Sequence, residues 1–329
     1  MCLKVKRIQL LFPFILSDLN FDHTFAFPSF SLIQKTLSSA LLSATTLMEF
    51  QPFKTIGIGV AFSPNLKANI FEAARLAGFF DATLVLIHVG EETKEKRAKI
   101  DALMSACQQS KIPYILEFRT GEPVTVILDV ANQSNVDLLV LGAVQREGLL
   151  RYYVGSIARK ITRKATCSVL LLINPSVDRI ACQHIVVNGL KDPKTKLAIS
   201  ASFYVAKKLG AKKISIAEEV SQQEIAIKVN DHHSLRKANI VKDRIRLREG
   251  SRIKKIVEEL PDSFTEAIEV HSQPIFGTRG YSIGHYAQVV RADLLVMNAP
   301  SALSFWDRIF PHDIEHILSE LPTDVLIIQ

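Results

Sequence analysis

Cysteine is scarce in this chain: Cys2, Cys107, Cys167 and Cys182 are the only four in 329 residues. No two of them form a C-x-x-C pair, and none stands at metal-ligand spacing to a histidine. That excludes a disulfide framework and fits a reducing compartment. Low-complexity tracts are missing and charged residues make up 22%, so the bulk of the chain is globular rather than disordered. Beyond the N-terminal stretch, no apolar run approaches membrane-spanning length, so no membrane partner is expected. The 40 basic and 33 acidic residues give +7 without a dense basic patch; this reads as a solvated basic surface, not a nucleic-acid footprint. Catalytic signatures are missing as well. There is no G-x-S-x-G elbow, no SGGxDS loop, no kinase set and no carboxylate pair assignable to one cleft. The expectation is a protein without turnover chemistry.

The first 47 residues imitate a secretory signal in MCLKVKRIQLLFPFIL. The apolar stretch is short, is broken by Pro13 and has no small-x-small cleavage site after it. Met48 then opens MEFQPFKTIGIGV, which runs straight into a strand. Residues 1–52 are therefore expected to be a disordered extension or a mis-assigned start, and the protein is expected to be cytoplasmic.

What is present is an alternation. TIGIGVAF (55–62), ATLVLIHV (82–89), PYILEFRT (113–120), VDLLVLG (136–142) and SVLLLI (168–173) read as buried strands, and helical spacing fills the gaps between them. Strands apolar throughout, separated by helices, predict a parallel sheet covered on both faces. A second copy follows the linker 174–183, with HIVVNG (184–189) and KKISIAEE (212–219) as its first two strands. ADLLVMNA mirrors VDLLVLGA, and Asp137 to Ser168 spans the same 31 residues as Asp293 to Asp324. The fold class is therefore α/β, with two tandem copies of an open five-stranded parallel sheet, over 53–174 and 184–329. Copy two also carries an expanded stretch, 220–262, with ten basic and six acidic residues over 220–260. It reads as a solvated helix face, with a partner surface as the alternative.

KTIGIGVAFSP, RTGEPVTVIL and DLLVLGAVQREGLLRYYVGSIARKITRKATCSVLLL together resemble the universal stress protein family. The resemblance covers copy one well and copy two more loosely. It implies pairing of the two fifth strands into a pseudo-dimer, with a homodimer as a further option. It also implies ATP as ligand, held by a loop of the form G-x2-G-x9-G-[S/T] after the fourth strand. Gly142, Gly155 and Ser156 match that loop; Gln145 stands where the middle glycine belongs, and Arg146 follows it. Ala61 stands where ATP-binding relatives carry an aspartate after the first strand, and Val89 closes the second strand beside it. A glycine at a strand end and a Gly-Ser helix start are physically suited to a phosphate.

Copy two has no glycine between Asn298 and its end, and Pro300, Phe305, Trp306 and Phe310 fill the equivalent loop; its nucleotide site reads as lost. GTRGYSIG (277–284) reads as a turn entering a helix, and the pair His232-His233 as solvated. HDIEH (312–316) has inverted-zincin spacing, but only 13 residues follow, too few for a further ligand helix. Three functional classes remain open: a nucleotide-binding stress protein, an interaction module with both sites dead, and a slow ATPase.

Overall fold

The first strand shows how the sheet is assembled. β1 (Thr55–Gly59) is apolar from end to end because it lies between two other strands under helices on both sides. Gly57 fits a close approach there, since a Cβ would lie 3.1 Å from the side chains of Leu139 and Val136, which would have to shift by a few tenths of an ångström. This computed structural model describes residues 50–107, 112–145, 152–221, 224–225, 227–278, 280–299 and 313–329.

In copy one, α1 (Leu66–Phe80), β2 (Thr83–Val89), α2 (Lys94–Ala106), β3 (Tyr114–Arg119) and α3 (Pro123–Gln133) follow β1. Proline at the first position of α3 needs no N–H partner, and the Glu122 carboxylate accepts the Thr125 N–H at 2.9 Å. β4 (Leu138–Gly142), a two-residue ladder of β5 (Val144–Gln145) with β6 (Tyr152–Tyr153), α4 (Ser156–Lys164) and β7 (Ser168–Leu172) complete the copy. Copy two repeats the plan with β8 (His184–Asn188), α5 (Thr195–Leu209), β9 (Lys213–Ser221) and α6 (His232–Glu258). It continues through α7 (Asp262–Thr265), β10 (Glu269–Gly277), α8 (Tyr281–Val289), β11 (Leu294–Asn298), α9 (Asp313–Ser319) and β12 (Asp324–Ile328).

All ten long strands form one sheet in the order β10-β9-β8-β11-β12-β7-β4-β1-β2-β3. Pairing is parallel inside each copy and antiparallel at the single β7–β12 junction, where Leu171 faces Val325 and Val169 faces Ile327. The fifth strands therefore meet about a pseudo-two-fold axis, and local bonds repeat across it. Asp137 accepts the N–H groups of Lys54 (2.8 Å) and Thr55 (2.9 Å); Asp293 accepts those of Gln183 (2.7 Å) and His184 (2.9 Å). At the junction, Asp324 accepts the Ile173 N–H at 2.8 Å, and Ser168 accepts the Gln329 N–H at 3.5 Å. The repeat of side-chain roles is duplication visible in space as well as in sequence.

Two apolar layers sandwich the sheet. One joins α1, α5 and the C-terminal half of α6; the other joins α3, α4, α8 and α9. In the first layer the copies interlock through Tyr204, whose ring stacks on Phe80 at 5.6 Å and meets Phe53 edge-on at 6.1 Å. Beside this seam a cavity of about 80 Å³ is lined by Leu138, Leu172, Leu326, Glu72, Arg75 and Asp324. Burial pushes the Asp324 carboxyl up to about 7, with Glu72 and Asp293 adding to the rise and the Ile173 N–H opposing it. Among the described residues, no helix is long and apolar enough to cross a membrane.

Candidate functional site

In an open parallel sheet, ligands lie beyond the carboxyl ends of the strands. Copy one brings its candidate residues to that edge. Ala61 and Phe62 follow β1 and are both exposed; Val89 ends β2; Gly142 ends β4 and is exposed. A side chain at Gly142 would have room, its nearest neighbour being the Asn69 Oδ1 at 3.9 Å, so glycine here is not forced by packing. Gly155 sits at the N-cap of α4 with φ −60 and ψ 162, a conformation open to any residue, and Ser156 is the first helical position. Among the described residues, no side chain caps α4, and its first turn holds no acid. Such a helix start is suited to an anion.

Gln145 does not belong to a free phosphate loop. It pairs with Tyr152 in the short β5–β6 ladder, a two-stranded arm. Arg146 lies outside the described residues. The far side of the arm is bound to copy two. The Val154 N–H donates to the Leu318 carbonyl at 3.0 Å, and the Leu321 N–H donates to the Tyr152 carbonyl at 2.9 Å. From α4, Arg159 donates to Leu318 O at 3.1 Å, and both Arg159 (3.3 Å) and Arg163 (2.6 Å) pair with Glu315 of α9. The start of α4 is thus fixed by the other copy. Glu315, the acid of the inverted-zincin spacing, is occupied by two guanidinium groups; His316 is exposed, and His312 lies outside the described residues. Among the described residues, no group of His, Cys, Asp and Glu is placed to hold a metal.

His88 was not singled out by the sequence, although a histidine inside TLVLIHV is a visible oddity. It is buried, and its Nδ1–H donates to the Val60 carbonyl at 2.9 Å. Its ring meets Phe62 at 5.0 Å and Phe118 at 5.3 Å, both edge-on. This places an aromatic floor under the mouth between β1 and β2, with Phe62 at its rim.

The same edge in copy two is filled. Asn298 takes the position of Gly142 and its amide donates to Thr195 Oγ1 at 3.1 Å, while that hydroxyl donates to Leu190 O at 2.7 Å. Beside it, Glu218 and Glu249 are buried among Arg252, Arg248 and Lys191. Pro300 and the aromatic loop lie outside the described residues. Gly280, with φ 79, turns the chain into α8, and Glu219 accepts the N–H of Gly280 (2.8 Å) and of Ile283 (2.7 Å). A carboxylate occupies that helix start where an anionic ligand would have to sit.

The sequence model of the universal stress protein family matches residues 52–172. Copy one is a universal stress protein domain. Among curated relatives, universal stress protein A homolog 1 of Coxiella burnetii is 29% identical, over 36% of this chain and 94% of its own. Universal stress protein Sll1388 of Synechocystis is 28% identical over 26% of this chain. The chain spans about half the length of that second relative, 55%. Solved structures extend the likeness of fold across both copies. A universal stress protein from Archaeoglobus fulgidus superposes with TM-score 0.57 at 15% identity, covering 86% of this chain and 98% of its own. A functionally unknown protein from Pseudomonas aeruginosa PAO1 gives 0.59 at 15% identity, covering 84% and 92%. The universal stress protein fold therefore runs through both halves, and the family sequence pattern through the first.

Proposed function

We propose that this chain is a cytoplasmic stress protein that binds ATP at the carboxyl edge of copy one and does not turn it over. The observation that carries the reading is the uncapped start of α4, Gly155-Ser156, on the loop that leaves the exposed Gly142. In this arrangement the α4 amides would take the phosphates. Val89 and Phe62 would bound the nucleoside.

A second reading is favoured by Ala61, which offers no carboxylate to a ribose. In it, copy one's loop is a relic and the protein acts through contacts alone. Calorimetric titration of ATP, repeated with Gly155→Val, separates the two. Because Gly155 has φ −60, valine strains no backbone there, and a melting curve of the variant separates loss of the ligand site from loss of the α4 start. Micromolar binding that disappears in the variant is expected; no heat from the parent protein would leave the contact-only reading.

A further inference from the structure

Copy two departs most from copy one in the helix between its second and third strands. α2 has 13 residues and α6 has 27. At roughly 1.5 Å per residue, the surplus is about 21 Å of helix. The core makes little use of it, since α6 buries only Ala238, Ile245, Glu249 and Ile253. Its start is nonetheless fixed. The Ser234 N–H donates to Asp231 Oδ1 at 2.7 Å, and the Asp231 N–H donates to Ser234 Oγ at 3.0 Å, a reciprocal capping box.

The outward face of this rigid helix is basic with an aliphatic centre. Arg236, Ile240, Arg244 and Leu247 are spaced by four, four and three residues and therefore share a face. Ile240 is 45% exposed and Leu247 is 73% exposed, whereas α2 bares no large apolar side chain. The helix carries nine Lys and Arg against three Asp and Glu. Those acids are already engaged: Asp243 with Arg246 at 3.2 Å, Glu249 with Arg252 at 2.8 Å, and Glu258 with Lys254 at 3.8 Å. Among the described residues, Arg236, Lys237, Arg244 and Lys255 have no carboxylate partner.

We propose that this face of α6 is a docking surface for an acidic amphipathic helix of a partner protein. Ile240 and Leu247 lie seven residues apart, the repeat of a helix–helix seam. The unpaired cations beside them would select glutamate and aspartate on the incoming helix and reject basic ones. A lipid surface fits less well. The helix turns its main apolar face to its own sheet, and only Leu235, Ile240 and Leu247 are exposed large apolar side chains along its 27 residues. Nucleic acid would meet the carboxylates of Asp243 and Glu258 and an aliphatic centre in place of phosphate donors.

The test uses the full chain and a fluorescent synthetic peptide of about three heptads, with leucine at a and d and glutamate at e and g. Its own charge keeps such a peptide from pairing with itself. Anisotropy should show dissociation constants on the order of tens of micromolar at low salt, weakening as ionic strength passes about 0.1 M. Leu247→Asp and the double variant Arg236→Glu/Arg244→Glu should each weaken binding at least about tenfold, with circular dichroism and melting unchanged because all three side chains are exposed. No peptide binding, or binding indifferent to both variants, overturns the proposal. Binding instead to phosphatidylserine vesicles or to a DNA duplex, with none to the peptide, overturns it in favour of lipid or nucleic acid.

Discussion

The two copies close the ends of the same two strands by opposite means. In copy one, the Val60 N–H reaches Ile87 O at 2.8 Å; in copy two, Gly189 makes the same bond to Ala217 at 2.8 Å, which fixes the equivalence of the edges. One residue further on, copy one has His88 and copy two has Glu218. His88 donates to the Val60 carbonyl and is flanked by the Phe62 and Phe118 rings, over which Lys99 and Arg97 lie at 5.7 Å each. At the copy-two edge the Gly189 carbonyl is taken by Arg252, which reaches in from α6 and also binds Glu218 and Glu249. Burial and the neighbouring Glu249 push Glu218 up to about 7. Glu249 is held below the usual carboxylate range, because bonds from Glu218, Arg252, Lys191 and Arg248 outweigh its burial. The same backbone frame thus presents a histidine among aromatic rings in one copy and an ion network that anchors the long α6 in the other.

The sharpest way to break this contrast is to remove Arg252. Arg252→Met would leave Glu249, 1% exposed, and Glu218 short of their bidentate partner. Stranding a buried carboxylate costs about 3 kcal/mol. The variant should melt well below the parent in scanning calorimetry, while ATP binding in copy one stays unchanged. A shift within a degree would mean that Arg248 and Lys191 alone satisfy the pair.

The seam offers an effect of similar size, because the two-fold pair Ser168 and Asp324 is asymmetric in charge. The Asp324 carboxyl is raised to about 7 in the folded protein. Its contribution is therefore complete below the unfolded carboxylate value and is lost as pH rises through about 7. Asp324→Asn keeps an oxygen for the Ile173 N–H and removes the ionisation. It should stabilise the protein at pH 8 by up to about 4 kcal/mol and leave it nearly unchanged near pH 4. Denaturant melts at the two pH values check this; equal stabilisation at both would show that Asp324 titrates normally.

Gly142→Asn gives copy one the residue of copy two. The site has room and its backbone is unstrained, so stability should hold within about 0.5 kcal/mol. ATP affinity should fall about tenfold as the amide enters the mouth. Unaltered affinity would place the nucleotide away from the β4 end.

Much of the architecture was legible because duplication writes itself at fixed spacing. Asp137 and Asp293 precede equivalent strands, and each ties its copy's first strand to its fourth. The Gly155-Ser156 helix start was legible for the same local reason. What escaped reading was chemistry assembled across distance. Glu218, Glu249 and Arg252 are separated by 31 and three residues, and in the sequence they look like solvated charge. The α6 helix begins well before its clearest apolar spacing, and the D-x-x-S signal at Asp231 was the local cue to its true start. Gln145 reads, with Ala61, as a departure from the family pattern, whereas its backbone pairs with Tyr152 in a short ladder.

That arm links the copies, and the smallest predicted effect tests the link. Glu315 of α9 holds Arg159 and Arg163, one and two turns into the helix whose first amides would meet phosphate. Glu315→Gln keeps the shape and a hydrogen-bond acceptor but removes the charge. Arg159 is 29% and Arg163 55% exposed, so solvent screens the pair and the stability cost should stay below about 1 kcal/mol. The two freed cations would raise the positive potential near the α4 start even as they loosen its position. If position dominates, ATP affinity should fall about threefold with little change in its salt dependence. If potential dominates, affinity should rise and become more salt-sensitive. The clamp from Val154 and Leu321 survives in either case, so backbone geometry favours the smaller loss, and a titration at two ionic strengths distinguishes the signs.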